Sequence, residues 1–236
     1  MAKKYKYVEP ELVENENEQK VIEPEKQTKN SLEIATEMML SARAKKSKDE
    51  EKAIINSLMH EGYKHDSFTL GKKYLFGDKG IKPNFELAIS YFTSSGENGN
   101  YYAYLALAKI YEIGIEAPVD LHKAYYYYAL AYNAGCNDLE CFAKIGINFY
   151  FGINNMINYV KAATFFEHVL INSTIDIGEK WLADSAYFYG NIYYEGHFRI
   201  KKDYKLAYSA YLKAKNNGCS YRDLDIKIIK SQKKAR

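Results

Sequence analysis

Apolar and polar positions follow a helical spacing through the middle of the chain, and one arrangement recurs four times. Each copy has a small residue, an aromatic residue three positions later and a glycine three positions after that. The four triplets are Gly71, Tyr74 and Gly77; Ala108, Tyr111 and Gly114; Gly146, Phe149 and Gly152; and Gly190, Tyr193 and Gly196. Residues three or four apart share one face of a helix. Each triplet therefore predicts a helix that packs closely at its small residue and ends at its glycine.

A second pattern follows each triplet and predicts a second helix. It begins with Asn or Asp, has Ala four residues later, and in three copies has an aromatic residue three positions after that. The sets are Asn84, Ala88 and Tyr91; Asp120, Ala124 and Tyr127; Asn158, Ala162 and Phe165; and Asp203 and Ala207, with Tyr211 one position late. The Asn or Asp fits the N-cap of the helix. The aromatic residue is expected to fill the groove between neighbouring hairpins.

Neighbouring copies are offset by 36 to 45 residues, which is the period of stacked helical hairpins. One hairpin cannot bury both of its apolar stripes, so stacked neighbours must complete the core. The sequence thus predicts an all-α solenoid of antiparallel helix pairs, with four repeats at about 66–101, 102–138, 139–176 and 182–219.

The repeats resemble the Sel1-like repeat family, which is related to the tetratricopeptide repeats. The second copy carries the resemblance best, with Ala108 in place of the family's glycine as its one departure. Its matching positions are Ala103, Leu107, Ala108, Tyr111, Gly114, Asp120, Lys123, Ala124, Tyr127, Ala131 and Gly135. The third copy has Ser173 at the terminal glycine position, and the fourth has Ala210 where an aromatic is expected. The resemblance implies a right-handed superhelix with a concave binding face and no catalytic activity.

The segments on either side of the repeats have different characters. Residues 1–30 are charged and poor in apolar groups, which predicts a disordered tail. Residues 31–65 predict a helical hairpin that caps the first repeat, because terminal repeats are usually atypical. Residues 220–236 predict a capping helix with a basic tail.

Charge is unevenly distributed along the chain. The segment from Arg199 to the end has 12 basic and 3 acidic residues, whereas the whole chain has a net charge of only +3. A basic end can attract nucleic acid, an anionic membrane or an acidic partner, or it can simply be a solvated face. The 24 tyrosines fall mostly within the repeats and are interpreted as packing between helices, with an aromatic binding surface as the alternative.

Candidate chemistry is sparse. The five histidines do not have the spacing with Cys or carboxylates that zinc needs, and no phosphate-binding loop or nucleophile motif is visible. We therefore expect no metal, no cofactor and no enzyme activity. Three cysteines do not make a disulfide framework, which favours a reducing compartment. Without a secretory signal or a membrane span in the sequence, we expect a cytoplasmic protein, or one exported without a classical signal peptide.

The resemblance to tetratricopeptide geometry places a binding groove along the first helix of each repeat. It implies that these residues are exposed there: Lys72, Tyr102, Lys109, Glu112, Tyr150, Tyr187, Asn191 and Tyr194. Their mixed character favours a polar peptide or a helix of another protein as the ligand, and argues against a small-molecule substrate. The expected function is an interaction module or adaptor. Two alternatives remain open: a pathogen effector or structural component of a larger assembly, and a nucleic-acid or anionic-surface binder that uses the basic end.

Overall fold

A computed structural model describes residues 47–58, 66–154, 156–173 and 179–236, which form ten α-helices. In chain order they are α1 (Lys48–Ser57), α2 (Asp66–Phe76), α3 (Phe85–Glu97), α4 (Tyr101–Ile113), α5 (Leu121–Asn133), α6 (Leu139–Phe151), α7 (Tyr159–Asn172), α8 (Lys180–Glu195), α9 (Tyr204–Asn216) and α10 (Leu224–Ala235). Across these ranges the only β-structure is two isolated antiparallel bridges, in loops. The all-α prediction is confirmed. The predicted tail and the first predicted capping helix lie outside the described residues.

The helices pair in sequence as four hairpins, and the hairpins stack. We number the hairpins 1 to 4 (α2–α3, α4–α5, α6–α7 and α8–α9) and call the first helix of each helix A and the second helix B. Each helix B also packs on the next helix A, and helices A of hairpins 3 and 4 touch directly. Helix α10 packs against α9. The result is the solenoid of helix pairs that the sequence predicts.

Each turn between the two helices of a hairpin is built in the same way. A glycine with φ between 66° and 78° follows helix A, at Gly77, Gly114, Gly152 and Gly196. Helix B then begins at an N-cap whose side chain accepts a hydrogen bond from the backbone N–H three residues later, at Asn84, Asp120, Asn158 and Asp203. The backbone N–H of each N-cap donates to the carbonyl of the triplet aromatic, at 2.7–2.9 Å. The turn thereby satisfies polar groups that a helix end would otherwise leave unpaired.

Loss of one of these caps should be measurable. Asp120→Ala removes the carboxylate that accepts from the Lys123 N–H at 3.0 Å, and we expect it to lower the free energy of unfolding by about 1 kcal/mol. Asp120→Asn is the matched control, because hairpins 1 and 3 already use Asn at this position. Urea denaturation of the three proteins measures the difference. Equal losses in both variants would show that the charge of Asp120 matters and not its cap.

The small residue of each triplet receives an aromatic ring from helix B. A Cβ atom added at Gly71, Gly146 or Gly190 would lie 2.6–2.9 Å from a ring of helix B. The rings belong to the eighth residue after the N-cap, which in the four hairpins is Phe92, Tyr128, Phe166 and Tyr211, each fully buried. The aromatic of the recurring sequence pattern is instead the seventh residue, which was expected to fill the groove between neighbouring hairpins. Tyr211 is in register with the others and not one position late.

The seventh residue has a different partner. It stacks on the triplet aromatic of helix A in hairpins 1 to 3, where the ring centroids lie 5.4–5.9 Å apart. The pairs are Tyr74 with Tyr91, Tyr111 with Tyr127, and Phe149 with Phe165. These rings join the two helices of a hairpin near its turn. Hairpin 4 has Ala210 at this position, and Tyr193 contacts Tyr189 on its own helix instead.

Candidate partner-binding surface

All eight residues predicted to line the groove lie on helices A. Lys72 is on α2, three are on α4 (Tyr102, Lys109 and Glu112), Tyr150 is on α6, and three are on α8 (Tyr187, Asn191 and Tyr194). Side chains from successive helices A meet on this layer. The structure therefore places the eight residues on one layer of the solenoid, but many of them contact one another or the next helix A.

Two ion pairs join α4 to α6. Lys109 pairs with Glu140, and Glu112 pairs with Lys144; we call these four residues the charge cluster. Lys109 Nζ also lies 3.8 Å from Glu112 Oε2, and the Tyr128 hydroxyl donates to the same oxygen at 2.6 Å. The side chains of Glu112 and Lys144 are only 15% and 13% exposed. The cluster is therefore a largely buried network with one outer member, Glu140.

The cluster fixes the protonation of its members. Burial opposes the charged form of Glu112, but attraction to Lys144 and Lys109 outweighs it and lowers the pKa of Glu112 from 4.5 to about 2. Burial likewise opposes the charged form of Lys144, and its attraction to Glu112 and Glu140 raises the pKa of Lys144 above its usual value. Both groups are charged at neutral pH, so α4 and α6 are joined by full charges in a mostly dry site.

A second polar network joins α6, α8 and α10. Asn191 Nδ2 donates to the Tyr150 hydroxyl at 3.4 Å, and Asn191 Oδ1 accepts from Tyr211 at 2.9 Å and from Lys227 at 2.6 Å. Tyr187 donates to Asp223 at 2.7 Å and accepts from Lys227 at 3.0 Å. The hydrogen-bonding atoms of Asn191 and Tyr187 are thus already occupied within the chain.

Two of the residues predicted to be exposed in the groove are buried. Tyr187 and Asn191 are only 7% and 5% exposed, because the network with α10 covers them. The ring of Tyr150 packs against Phe188 with centroids 4.7 Å apart, and burial raises its pKa well above the ordinary value. The prediction that Tyr187 and Asn191 are exposed is wrong, whereas Tyr150 keeps partial exposure and its role in binding stays a prediction. Lys72, Tyr102, Lys109, Glu112 and Tyr194 keep partial exposure, and their role in binding stays a prediction.

The residues that complete these two networks were not predicted from the sequence. Glu140 and Lys144 lie on α6, four residues apart; Asp223 and Lys227, also four apart, lie at the start of α10 and within it. In both pairs the acid and the lysine reach the preceding helix A. An acid followed by lysine four residues later is the sequence signal that could have found them. It also shows that α10 lies against α8 as a further helix A would.

The described ranges show neither a metal site nor a membrane-spanning helix. They contain no group of His, Cys, Asp and Glu side chains placed to hold a metal ion. No helix in them is long and apolar enough to cross a bilayer. Cys136 and Cys141 are buried free thiols in mutual contact, and Cys141 Sγ donates to the Tyr128 carbonyl at 3.4 Å. The helix A layer described above, with its polar and aromatic side chains, is therefore the candidate surface for a partner.

Comparison with known proteins supports the repeat assignment. The family model described as Sel1 repeat matches residues 68–100, 102–136 and 183–219, which correspond to hairpins 1, 2 and 4. A Sel1 repeat protein from Oxalobacter formigenes is similar in structure, with a TM-score of 0.51 and 18% identity over 76% of this chain and 49% of that one. A protective antigen of uropathogenic Escherichia coli strains that displays an SLR fold gives a TM-score of 0.42 and 17% identity over 88% of this chain and 53% of that one. The chain spans about half the length of each solved structure. No curated protein matches it.

Proposed function

Because this chain contains three Sel1 repeats, we propose that it is a non-enzymatic interaction module that binds a peptide or helical segment of another protein along its helix A layer. Sel1 repeat proteins are generally protein-interaction modules and typically non-enzymatic scaffolds. Stacked repeats present one continuous surface built from equivalent positions, which suits an extended ligand.

The observation that carries the proposal is the row of partly exposed polar and aromatic side chains on α2 and α4. Lys72, Tyr102, Lys109 and Glu112 follow one another along this row, and Glu140 adds a carboxylate from α6. Tyrosine is among the residue types that carry most of the binding energy at interfaces, and charged side chains add specificity for the partner. We call these five residues the proposed groove.

The charge of the proposed groove favours a polar partner of mixed sign. The charge cluster holds two lysines and two glutamates, so it presents no excess of either charge. Glu140 is the most exposed of the four, and its carboxylate can accept a hydrogen bond from a basic side chain of the partner. Because the other members are held by their partners inside the chain, binding here requires little ordering of side chains, which reduces the entropic cost of association.

Two wider settings fit the same module. It can serve as an adaptor in the cytoplasm, or as an effector or structural component of a larger assembly, exported without a classical signal. Fractionation of the native cells and their medium distinguishes these settings, since an exported protein is recovered outside the cell.

We expect a loss of peptide binding when side chains of the proposed groove are replaced by alanine. Lys72→Ala combined with Tyr102→Ala should weaken the binding of peptides selected from a displayed random library by at least about tenfold. The matched control is Lys79→Ala with Tyr126→Ala, which removes the same two residue types at exposed positions in a loop and on helix B. Fluorescence anisotropy with the selected peptides measures both variants, after thermal denaturation has shown that both are folded. Peptides that lose affinity for the control variant instead would place the interface on the outer side of the solenoid.

A further inference from the structure

The loop between α8 and α9, residues 196–203, carries an exposed aromatic ring among basic side chains. Phe198 is 83% exposed, although burial of a phenylalanine is strongly favourable. The Arg199 guanidinium lies 5.1 Å from the centroid of its ring, and Lys201 and Lys202 follow, both exposed. An apolar ring is therefore held in solvent, with one cation against it and two more in the same loop.

The equivalent loop of hairpin 1, residues 77–84, shows that the fold does not require this ring. Both loops are closed by an isolated antiparallel bridge, Asp78–Ile81 in hairpin 1 and His197–Ile200 in hairpin 4. The two backbone hydrogen bonds of each bridge measure 2.8–3.1 Å. Hairpin 1 places Lys79 and Gly80 at the tip, where hairpin 4 places Phe198 and Arg199. The same turn thus forms without an aromatic residue.

The backbone of Arg199 adds a second indication. Its φ is 65°, in the left-handed region that glycine occupies without strain and other residues rarely adopt. Gly80 stands at the equivalent position with φ 79°. Hairpin 4 therefore carries an arginine at a position where glycine would be more stable. Neither Phe198 nor Arg199 is explained by folding, which indicates a role for the tip in binding.

The last turns of α10 add further positive charge beside this loop. Lys234 Nζ lies 4.6 Å and 4.9 Å from the ring centroids of Tyr194 and Tyr204, the two tyrosines that flank the loop. Lys233, in the last turn of α10, and Arg236, directly after the helix, are both exposed. Asp203, the acidic residue within the loop, is engaged as the N-cap of α9. We define the basic tip as Phe198, Arg199, Lys201, Lys202, Lys233, Lys234 and Arg236.

We propose that the basic tip docks on the surface of an anionic lipid bilayer, with Phe198 inserted at the boundary between headgroups and acyl chains. Lysine and arginine near such a surface are attracted to its anionic lipids, and an aromatic ring gains by leaving water at this depth. A projecting tip fits a planar surface. Nucleic-acid sites instead use a groove with open ring faces for base stacking, and Arg199 already lies over the ring of Phe198.

The test measures co-sedimentation of the full chain with vesicles of phosphatidylcholine alone and with about one-third phosphatidylserine. Binding is expected to the anionic vesicles and to fall as salt rises. The double variant F198K/R199G gives hairpin 4 the tip of hairpin 1 with no change in net charge. It should lower the partition coefficient by at least about tenfold, because the ring no longer leaves water. Lys201→Ala with Lys202→Ala should lower it by about fivefold per lysine.

Two control variants and two competitors make the outcome decisive. Ile171→Ala, at an exposed apolar position on α7, and Lys79→Ala, in the loop of hairpin 1, should leave vesicle binding unchanged. Soluble phosphoserine should not displace the protein, since it offers the headgroup without a bilayer. The proposal is overturned by equal binding to neutral vesicles, by no binding to either vesicle, or by an unchanged partition coefficient in F198K/R199G. Tighter binding to a labelled single-stranded RNA than to the anionic vesicles at equal ionic strength would overturn it in favour of a nucleic-acid surface.

Discussion

Glu112→Gln is expected to lower the free energy of unfolding by about 3 kcal/mol at pH 7, because it leaves Lys144 without its ion-pair partner in a largely buried site and removes one of the two carboxylates that face Lys109. The pKa of Glu112, lowered from 4.5 to about 2, gives a similar size, since each pKa unit corresponds to about 1.4 kcal/mol. Glu116→Gln is the matched control, because Glu116 pairs with the well-exposed Lys48 and should matter little.

The effect of Glu112→Gln should depend on pH with a definite sign. A carboxyl whose pKa is depressed in the folded state stabilises the fold above its unfolded pKa, and this stabilisation is lost as pH falls through the folded pKa. The difference between wild type and variant should therefore be full above about pH 5, fall to roughly 1 kcal/mol at pH 3 and vanish below pH 2. Urea denaturation at pH 7 and pH 3 measures it. If wild type and variant differ in stability by the same amount at pH 7 and pH 3, the substitution acts through the shape of the side chain and not through its charge.

Gly190→Leu should destabilise the fold by about 3 kcal/mol, at the upper end of the usual cost of overpacking. A Cβ atom at residue 190 would lie 2.6 Å from the ring of Tyr211, which is fully buried. The Tyr211 hydroxyl donates to Asn191, so the ring cannot turn aside without losing that hydrogen bond. Gly190→Ala should cost less, because hairpin 2 accommodates Ala108 at the equivalent position.

The control for this prediction is Ser209→Leu, which adds the same side chain at an exposed position of α9 in the same hairpin. It should leave the urea midpoint nearly unchanged, since exposed substitutions usually shift stability by about 0.5 kcal/mol or less. Equal midpoints for Gly190→Leu and Ser209→Leu would mean that the approach between α8 and α9 at residue 190 adjusts freely.

The hairpins were predictable from sequence because their turns depend on local chemistry. Each turn needs a glycine with positive φ and an N-cap residue at a fixed distance from it. Both lie within a few residues of each other, so the sequence of each copy shows them. The aromatic that meets the small residue was not predicted from the sequence, because three copies place two aromatics side by side, as in Tyr127 and Tyr128. Hairpin 4 has Ala210 at the seventh position after the N-cap and Tyr211 at the eighth. It was the copy whose sequence pointed to the eighth position as the one that holds the buried ring.

The candidate site was only half predictable for a related reason. The position of each site residue on helix A followed from the repeat pattern. The exposure of its side chain depends on side chains of the next helix A, more than 30 residues later in the sequence. Tyr150 was expected to be exposed, and it lies between Phe188 and Asn191 of hairpin 4. Lys109 meets Glu140 in the same way. Polar side chains on the inner layer thus join neighbouring hairpins, and one repeat read alone does not show this.

The position of α10 has a consequence for how molecules of this protein meet one another. Through Asp223 and Lys227 it covers the side of α8 that any hairpin offers to its successor. A bare end of that kind would accept the first hairpin of a second molecule by the same packing that joins hairpins within the chain. Repeated head to tail, such a contact never closes and grows a filament. Because α10 fills this place from within the chain, we expect it to oppose that route to polymerisation.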